Sequence, residues 1–407
     1  MSLLHQLGQR KTWERFLLYK EGQTMNRVFA GELRQFIEEE AYLPVYEAVL
    51  ANAPFPLPVR SVINKMSTKK RRVVYTYPPA ENMVLKLLTW LLIREYDGIF
   101  GKNLWSFRPG RGAKDAIRFL TRTPGIDQMY AYKADISNYF NSVDVSLLLP
   151  ELAEVTAEDP DLYRFLHALL TEEHVLDRGK IIVEQKGIMA GTPLASFYAN
   201  LYLRGLDRHF AETDVLYARY SDDLILFAET PEKLEEHIRY VRGFLEERRL
   251  AMNSDKEIIT APGERWEFLG FSFENGVIDI AEPSGKKLMK KMRRKTRALR
   301  RWQMKKGLPG EKAAKAFIRA FNRKLFEETE EHDLTWARWY FPVIGTTGTL
   351  EVIDHYAQDC IRYLAAGTRT KSRYNVRYED MKAWGYRSLV HEYYRKEDGG
   401  QTEKEPA

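Results

Sequence analysis

The chain has 407 residues, enough for two or three packed units, and 44% of them are hydrophobic, which allows a substantial core. Its net charge is +6, and its single cysteine, Cys360, excludes a disulfide framework and a cysteine-based metal site. No signal-peptide pattern opens the chain, and the longest apolar stretch, residues 84–93, is too short to cross a bilayer. We therefore expect a soluble cytoplasmic protein without a membrane partner.

The order of predicted elements begins with helices in residues 1–60, where apolar residues recur at helical spacing up to the proline-rich stretch 53–58. A strand at 73–77, a helix at 81–95 and the glycine-rich stretch 107–112 follow. The centre of the chain is predicted to mix both element types. Its expected elements are a strand at 130–136, a hairpin with its turn at 177–179, and helices at 193–208 and 232–249.

The segment from Ser284 to Lys306 is strongly basic, with twelve Lys or Arg residues and no Asp or Glu. An apolar stripe at helical spacing, which includes Leu288 and Trp302, predicts a helix with Trp302 in the core. Because so many positive charges repel one another, contact with nucleic-acid phosphates is favoured over a merely solvated helix. Residues from about 331 are expected to be helical, and 395–407 to form a disordered tail.

The stretch from Tyr220 to Asp223 is the most informative feature of the chain, because it places two adjacent acids between two apolar runs. This pattern predicts a strand, a tight turn and a second strand. Two carboxylates about 4 Å apart repel each other by roughly 4 kcal/mol at an effective dielectric near 20. Hard divalent cations would relieve that repulsion. An ordinary hairpin turn with solvated acids explains the stretch equally well when it is considered alone.

A third acid, Asp135, ends the predicted strand at 130–136. An acid in that position more often caps the following helix than binds a ligand. Beside the paired acids of Asp222 and Asp223, the metal-binding interpretation becomes the better one. Three carboxylates from two neighbouring strands can hold two metal ions, which is the chemistry of nucleotidyl transfer.

Seven short motifs, each weak alone, stand in the order found in reverse transcriptases, and the chain resembles that family over roughly residues 65–275. The motifs are Lys69–Pro78 and Ser106–Gly112, which resemble the fingers motifs; Asp135–Phe140 and Gly187–Leu203; Tyr220–Asp223, the family's Tyr-X-Asp-Asp; Asn253–Lys256, the lysine motif; and Phe268–Phe271, the primer grip.

The resemblance implies an α+β fold, the right-hand polymerase of fingers, palm and thumb, with a helical extension at each end. It also implies RNA-templated DNA synthesis. The expected domains are a helical N-terminal extension (1–60), fingers and palm (61–276), a basic helical thumb (277–330), a C-terminal helical extension (331–394) and the tail (395–407).

The resemblance further assigns roles to individual residues. The expected catalytic residues are Asp135, Asp222, Asp223 and Lys256, of which Lys256 would protonate the leaving pyrophosphate. The three aspartates and the Ile136 carbonyl would hold two Mg²⁺ ions, with Mn²⁺ as an alternative. The expected nucleotide contacts are Lys69, Arg72, Phe140, Ala190 and Gly191, with Phe140 as a steric gate against the 2′-hydroxyl. The expected nucleic-acid contacts are Arg108, Arg111, Leu269, Gly270, Lys287, Lys291, Arg294 and Arg301.

Plainer interpretations of these residues remain open from the sequence. Phe140 fits a core position equally well, and Lys69, Arg72 and Lys256 fit a solvated surface. The chain also departs from its relatives at Ala190, where many carry glutamine, so that a polar contact to the nucleotide is lost. This departure puts nucleotide selection or fidelity in question.

The aromatic C-terminal segments, 339–356 and 385–394, resemble compact bacterial reverse transcriptases of the "unknown groups", and the type 2 defence enzymes match best. That resemblance implies antiphage defence, a partner noncoding RNA as template and scaffold, deoxynucleotide (dNTP) substrates and a cDNA product. The alternatives are a mobile-element enzyme, intron-like or diversity-generating, a template-independent polymerase, and an inactive RNA-binding scaffold. The priming mode and the oligomeric state stay open.

Overall fold

The computed structural model describes residues 2–22, 27–64, 71–185, 187–328 and 335–400. The chain divides into two units between Glu264 and Arg265. The hairpin that precedes the basic helix lies in the second unit, and the expected boundary between palm and thumb after residue 276 stays a prediction. None of the helices in the described ranges is long and apolar enough to span a membrane.

The first unit opens with helices, as the sequence predicts. A short 3₁₀ helix, Leu3–Gly8, precedes α1 (Arg10–Glu21), α2 (Arg27–Glu38) and α3 (Leu43–Leu50). Trp13 is fully buried, and its indole N–H donates to the Leu7 carbonyl oxygen at 2.7 Å. This extension shares one hydrophobic core with the rest of the unit, so it is not a separate domain.

A four-stranded sheet, the first sheet, follows the extension. The chain runs through β1 (Val59–Asn64), β2 (Arg71–Thr76), α4 (Pro79–Glu95), α5 (Ala113–Thr121), β3 (Tyr130–Asp135), α6 (Tyr139–Ser142), α7 (Val145–Val155), α8 (Pro160–Thr171), β4 (His174–Asp177) and β5 (Lys180–Val183). The order of strands in the first sheet is β2-β1-β4-β5. The predicted hairpin with its turn at 177–179 is confirmed, since β4 and β5 pair antiparallel.

A second four-stranded sheet, the aspartate sheet, carries the acids of interest. After β5, the first unit continues with α9 (Ala195–Tyr202), α10 (Arg204–Glu212), β6 (Tyr217–Tyr220), β7 (Asp223–Ala228), α11 (Pro231–Glu247) and β8 (Ile258–Thr260). The order of strands is β6-β7-β3-β8, with β7 and β8 both antiparallel to β3. Thr230 caps α11 by accepting a hydrogen bond from the Lys233 N–H, and Pro231 follows as the first helical residue.

The second unit combines a small sheet with a helical bundle. Its elements are β9 (Trp266–Phe268), β10 (Phe271–Glu274), β11 (Val277–Ile280), α12 (Glu282–Lys306), α13 (Gly310–Leu325), α14 (Trp336–Tyr340), α15 (Gly348–Ala366), α16 (Tyr378–Ala383) and α17 (Leu389–Gly400). The buried carboxylate of Asp354 in α15 accepts hydrogen bonds from the Tyr386 hydroxyl at 2.7 Å and the Ser388 hydroxyl at 2.6 Å. These bonds anchor the C-terminal residues on the bundle.

Three local predictions differ from the structure. The single helix expected at 193–208 is two helices, which separate at Leu203, where the backbone leaves the helical region. Trp302 is 42% exposed, so its prediction as a core residue is wrong; Leu288 and Met292 supply the buried face of α12 instead. The final helix reaches Gly400 and so covers the first part of the expected disordered tail, while 401–407 lie outside the described residues.

Candidate active site

Three carboxylates meet at one end of the aspartate sheet. Asp135, the last residue of β3, lies opposite Asp223, the first residue of β7, in the antiparallel pairing. The Ile136 N–H donates to the Asp222 carbonyl oxygen at 3.0 Å, which ties the end of β3 to the turn before β7. The structure thus brings together the three aspartates that the sequence singled out.

The turn that carries Asp222 is tight. Tyr220 and Asp223 face each other across it, and Ser221 adopts a left-handed backbone conformation with φ of 61°. Such a conformation is uncommon outside glycine and persists where the surroundings hold it. Here the Ser221 N–H donates to the Ser106 hydroxyl oxygen at 2.9 Å. Ser106 in turn donates to the Asn200 side-chain oxygen at 3.3 Å, so the turn rests on a buried polar network.

A fully buried ion pair supports the same turn from below. The Arg219 guanidinium donates to the Asp207 carboxylate at 2.8 Å through Nε, and both side chains are fully buried. The same guanidinium donates through Nη1 to the Ser221 carbonyl oxygen at 3.1 Å. Sequence reasoning missed Arg219 and Asp207, and it placed Ser106 and Asn200 in motifs without recognising that they support the turn. The available signal was Arg219 itself, a charge inside an otherwise apolar strand directly before the paired acids.

The electrostatics of the turn show that the carboxylates crowd one another. Burial, followed by the negative charges of Asp222 and Asp135, raises the pKa of Asp223 to about 6. Burial and the charge of Asp135 also raise the pKa of Asp222, while Lys256 and Arg72 oppose that rise. The site therefore disfavours its own negative charge and would gain from a nearby cation.

Lys256 and Asn253 both reach Asp135. The Lys256 ammonium donates to Asp135 Oδ1 at 2.6 Å, and the Asn253 amide donates to Asp135 Oδ2 at 3.3 Å. The Asn253 N–H also donates to the Asp135 carbonyl oxygen at 2.8 Å. The structure thus places the lysine motif beside Asp135, with the Lys256 side chain about half exposed.

The donor set fits a hard divalent cation. Among the described residues, no three His, Cys, Asp or Glu side chains form a ready cage for a metal ion. Mg²⁺ does not need such a cage, because it commonly binds through one or two carboxylates, water and substrate phosphates. The Ile136 carbonyl oxygen accepts no hydrogen bond from the described residues, so it is available as a further ligand.

The structure gives different information on each predicted nucleotide contact near this end of the sheet. Arg72 is exposed on β2, and its charge acts on Asp222, which places it near the turn. Lys69 lies outside the described residues. Phe140 is half-buried, and its ring meets that of Phe107 edge-on at 6.5 Å. Phe140 therefore has both a packed side and an accessible one.

Glycine is required beside Phe140. The Ile188 N–H donates to the Phe140 carbonyl oxygen at 2.9 Å, which brings the two segments together. Gly187 has φ of 52°, and a β-carbon there would overlap the same carbonyl oxygen. The contact holds the Phe140 backbone in place.

Ala190 and Gly191 pack against the first sheet. The Tyr75 N–H donates to the Ala190 carbonyl oxygen at 2.8 Å. Gly191 has φ of 103°, and a β-carbon there would lie 3.0 Å from the Tyr75 carbonyl oxygen. Sequence reasoning attributed this glycine to close approach of the nucleotide, whereas the close neighbour in the structure is the backbone of β2.

Arg108 is a structural residue, contrary to its predicted role in nucleic-acid binding. The side chain is buried and donates to Asp97 Oδ1 at 2.7 Å and to Asp97 Oδ2 at 3.0 Å. It also donates to the Gly101 carbonyl oxygen at 2.6 Å. With its donors used inside the protein, Arg108 has no free face for a phosphate. Arg111 is half-buried over the Trp105 ring, 5.3 Å from its centroid, and stays a predicted contact.

The predicted contacts in the second unit lie on one turn and one helix. Leu269 and Gly270 both have positive φ in the turn between β9 and β10, and a β-carbon on Gly270 would lie 3.1 Å from the Tyr340 hydroxyl. The cations of α12 that are predicted to contact nucleic acid recur at helical spacing, so they share one side of the helix. Of these, Lys287, Arg294 and Arg301 are exposed, and Lys291 is half-buried. Burial and the charges of Lys324 and Lys287 lower the pKa of Lys291.

Residues 63–273, just over half of the chain, match the family described as reverse transcriptase (RNA-dependent DNA polymerase). The chain belongs to this family. The family is one of RNA-dependent DNA polymerases, and the chain has the α+β right-hand fold that the order of its motifs predicts. Reverse transcriptase domains in general use divalent metal ions, which agrees with the carboxylate cluster.

Solved structures similar to this reverse transcriptase include three telomerases from yeasts. Apo telomerase from Candida tropicalis, truncated from its C-terminal domain, is 12% identical with a TM-score of 0.44, and the match covers 55% of each chain. Telomerase from Candida albicans with a fragment of telomeric RNA is 11% identical (TM-score 0.44; 84% of this chain, 70% of that one). Another apo telomerase from Candida tropicalis is 11% identical (TM-score 0.47; 83% and 62%). No curated protein matches the chain.

Proposed function

We propose that this reverse transcriptase makes cDNA by Mg²⁺-dependent nucleotidyl transfer at Asp135, Asp222 and Asp223, on a partner noncoding RNA. The observation that carries the proposal is the meeting of three carboxylates at the end of the aspartate sheet, where burial, and then the charges of Asp222 and Asp135, raise the pKa of Asp223 to about 6. A purely structural turn would gain nothing from that mutual repulsion.

The aspartates and the Ile136 carbonyl oxygen would hold the metal ions. Bound there, two such ions activate an attacking 3′-hydroxyl and neutralise the developing charge on the phosphates. The fixed pairing of β3 with β7, and the support of the turn by Arg219, position the carboxylates before substrate arrives. This preorganisation is the contribution of the protein to the chemistry.

Two side chains have separate roles in this proposal. The Lys256 ammonium, 2.6 Å from Asp135 Oδ1, would donate a proton to the leaving pyrophosphate as a general acid. The accessible side of Phe140 would lie beneath the sugar of the incoming nucleotide and exclude a 2′-hydroxyl, which favours deoxynucleotides.

The partner RNA and the role in antiphage defence are the finer part of the proposal. They are supported by the likeness of the C-terminal segments to compact defence enzymes and by Ala190 in place of the usual glutamine. The basic side of α12, with Lys287, Arg294 and Arg301 exposed, supports contact with a nucleic-acid backbone.

Sequencing the RNA and cDNA that copurify with the protein tests this part, with and without phage infection of the host. We expect one abundant noncoding RNA and cDNA complementary to part of it. Asp222→Ala should keep the RNA and lose the cDNA. Recovery of intron RNA, or cDNA of a variable repeat, would assign the protein to a mobile element instead. Equal cDNA from Asp222→Ala would contradict the catalytic assignment.

A further inference from the structure

The outermost strand of the first sheet, β5, has a neighbouring strand on one side only within the part of the chain that the structure describes. Ile181 and Val183 share one face of β5 and are 63% and 66% exposed. An exposed apolar strand at the edge of a sheet is a template for pairing with another chain, and proteins that stay monomeric usually cover or interrupt such an edge. The edge of β5 is therefore a candidate interaction surface.

The pairing of β4 with β5 shows which backbone groups of β5 point to the outer edge. The Glu184 N–H donates to the Glu173 carbonyl oxygen, on the side of β4, at 3.0 Å. Backbone groups of successive residues in an antiparallel strand point to opposite sides. The N–H and carbonyl groups of Ile181 and Val183 therefore point away from β4, where a further strand would accept and donate hydrogen bonds.

The sequence of β5 and the residue after it is complementary to itself in charge. Lys180 begins the strand and Glu184 follows it, with three apolar residues between them. If two copies pair antiparallel with Ile182 of each on a two-fold axis, Lys180 of each copy lies directly opposite Glu184 of the other. Ile181 then lies opposite Val183, and the outward backbone groups of these two residues exchange hydrogen bonds on both sides of the axis.

The backbone and the charges select the same register. An outward backbone group can bond only to another outward group, so the symmetric registers differ by slides of two residues. A slide in one direction would place Lys180 opposite Ile182, and a slide in the other would place Glu184 there. In the selected register the exposed side chains of Ile181 and Val183 also join those of the other copy in one apolar patch.

The ion pairs of the hairpin leave Lys180 for an external partner. The acids that follow or end its strands, Asp177 and Glu184, both pair with Arg60, and Arg60 Nε lies 2.8 Å from Glu184 Oε2. Lys180 is exposed, and it forms no salt bridge with the described residues. Because a carboxylate has room for more than one donor, Glu184 can hold Arg60 of its own chain and a lysine of a second copy.

We propose that β5 pairs with β5 of a second copy of this chain, so that the two four-stranded sheets join into one continuous sheet across a two-fold axis. The contact is smaller than a standard interface of about 1,600 Å², so the dimer forms reversibly at micromolar concentrations. The strand belongs to a different sheet from the catalytic aspartates, and the inference goes beyond the proposed function without depending on it.

Disulfide crosslinking of the full-length protein tests the pairing and its register. In the proposed dimer the two copies of Ile182 face each other in a non-hydrogen-bonded pair, with Cα atoms about 4.5 Å apart. A disulfide spans Cα separations of about 4.4–6.8 Å, so Ile182→Cys should form a covalent dimer on oxidation with diamide. In Val183→Cys the same atoms would be about 8 Å apart, and the protein should stay monomeric on a non-reducing gel. The unaltered protein, whose single cysteine Cys360 is buried, gives the background.

Sedimentation over a range of concentrations measures the dimer without a crosslink. Lys180→Glu places like charges opposite each other at both ends of the pair, so we expect dimerisation to weaken by at least about tenfold. Lys11→Glu makes the same charge change at an exposed position of α1 and should leave dimerisation unaltered.

Three results would overturn the proposal. The first is an unaltered protein that stays monomeric up to about 100 μM, well above the range expected for a weak interface. The second is equal dimerisation of Lys180→Glu and Lys11→Glu. The third is crosslinking of Val183→Cys in place of Ile182→Cys, which would require another register. The crosslinking result decides the proposal even if Lys180→Glu does not fold.

Discussion

Arg219 and Asp207 form a fully buried ion pair, and the same guanidinium donates a hydrogen bond to the Ser221 carbonyl oxygen in the turn that carries Asp222. Because Ser221 precedes the paired acids, this ion pair connects the core of the first unit to the position of Asp222. A buried pair is costly to break, since removal of one partner leaves an uncompensated charge in the core.

Asp207→Asn is therefore expected to destabilise the first unit by about 3–5 kcal/mol and to reduce primer extension as the turn loosens. Urea unfolding with a probe in the first unit measures the loss. Asp214→Asn is the matched control, because Asp214 pairs with Lys102 on the surface, where an ion pair contributes at most about 1 kcal/mol. Equal unfolding midpoints for the two variants would show that the buried pair does not support the unit.

Lys256→Gln tests the contact between the ammonium group and Asp135. We expect the maximal rate of nucleotide addition to fall by about 10²–10⁴-fold, the range for a general acid, while template binding changes little. Single-turnover addition of one nucleotide measures the rate. Arg242→Gln is the control, because Arg242 pairs with the neighbouring Glu257 and not with the aspartates. A rate within threefold of the unaltered protein would remove Lys256 from the chemistry.

Phe140→Ala tests the proposed steric gate. The variant should incorporate ribonucleotides far more readily relative to deoxynucleotides, because the ring no longer excludes the 2′-hydroxyl. Addition of one nucleotide, with dATP or ATP as substrate, measures the ratio. Tyr139→Phe is the control, since it removes only the hydroxyl that donates to the Ala199 carbonyl oxygen. An unchanged ratio in Phe140→Ala would mean that Phe140 serves only the core.

Gly187→Ala should disturb the same gate through the backbone. The left-handed conformation at Gly187 and the contact with the Phe140 carbonyl oxygen leave no room for a methyl group, so the variant must move one segment. We expect lower thermal stability and altered sugar discrimination. Gly98→Ala, where a β-carbon meets nothing within 4 Å, should leave both unchanged. If the two alanine variants behave alike, the contact is not a constraint.

The sequence predicts the aspartates well and the residues around them poorly. Asp135, Asp222 and Asp223 could be predicted because a strand pattern and a tight turn deliver them within short motifs. The structural role of Arg108 could not be predicted, because its partner Asp97 lies on a preceding 3₁₀ turn whose position depends on tertiary packing. Long-range pairing of this kind leaves no local pattern in the sequence.

Glycine and surface positions show the same limit. Gly191 is predicted from the sequence to contact the nucleotide, and only the structure shows that the Tyr75 backbone lies against it. Trp302 is exposed although the next residue, Gln303, is buried, so the covered stripe of α12 runs through Met292, Thr296 and Gln303 and passes beside the ring. Periodicity predicts the apolar face of a helix only approximately, and a polar residue such as Gln303 can occupy the covered position instead of a neighbouring apolar one.

The most direct test of the account is the rate of single-nucleotide addition by Asp223→Asn on an RNA template with a DNA primer and Mg²⁺ as the metal. The asparagine keeps the size of the side chain and removes the charge that burial, Asp222 and Asp135 oppose. We predict a loss of at least about 10³-fold in rate, with binding of the template–primer unchanged. A rate within tenfold of the unaltered protein would contradict catalysis at these aspartates.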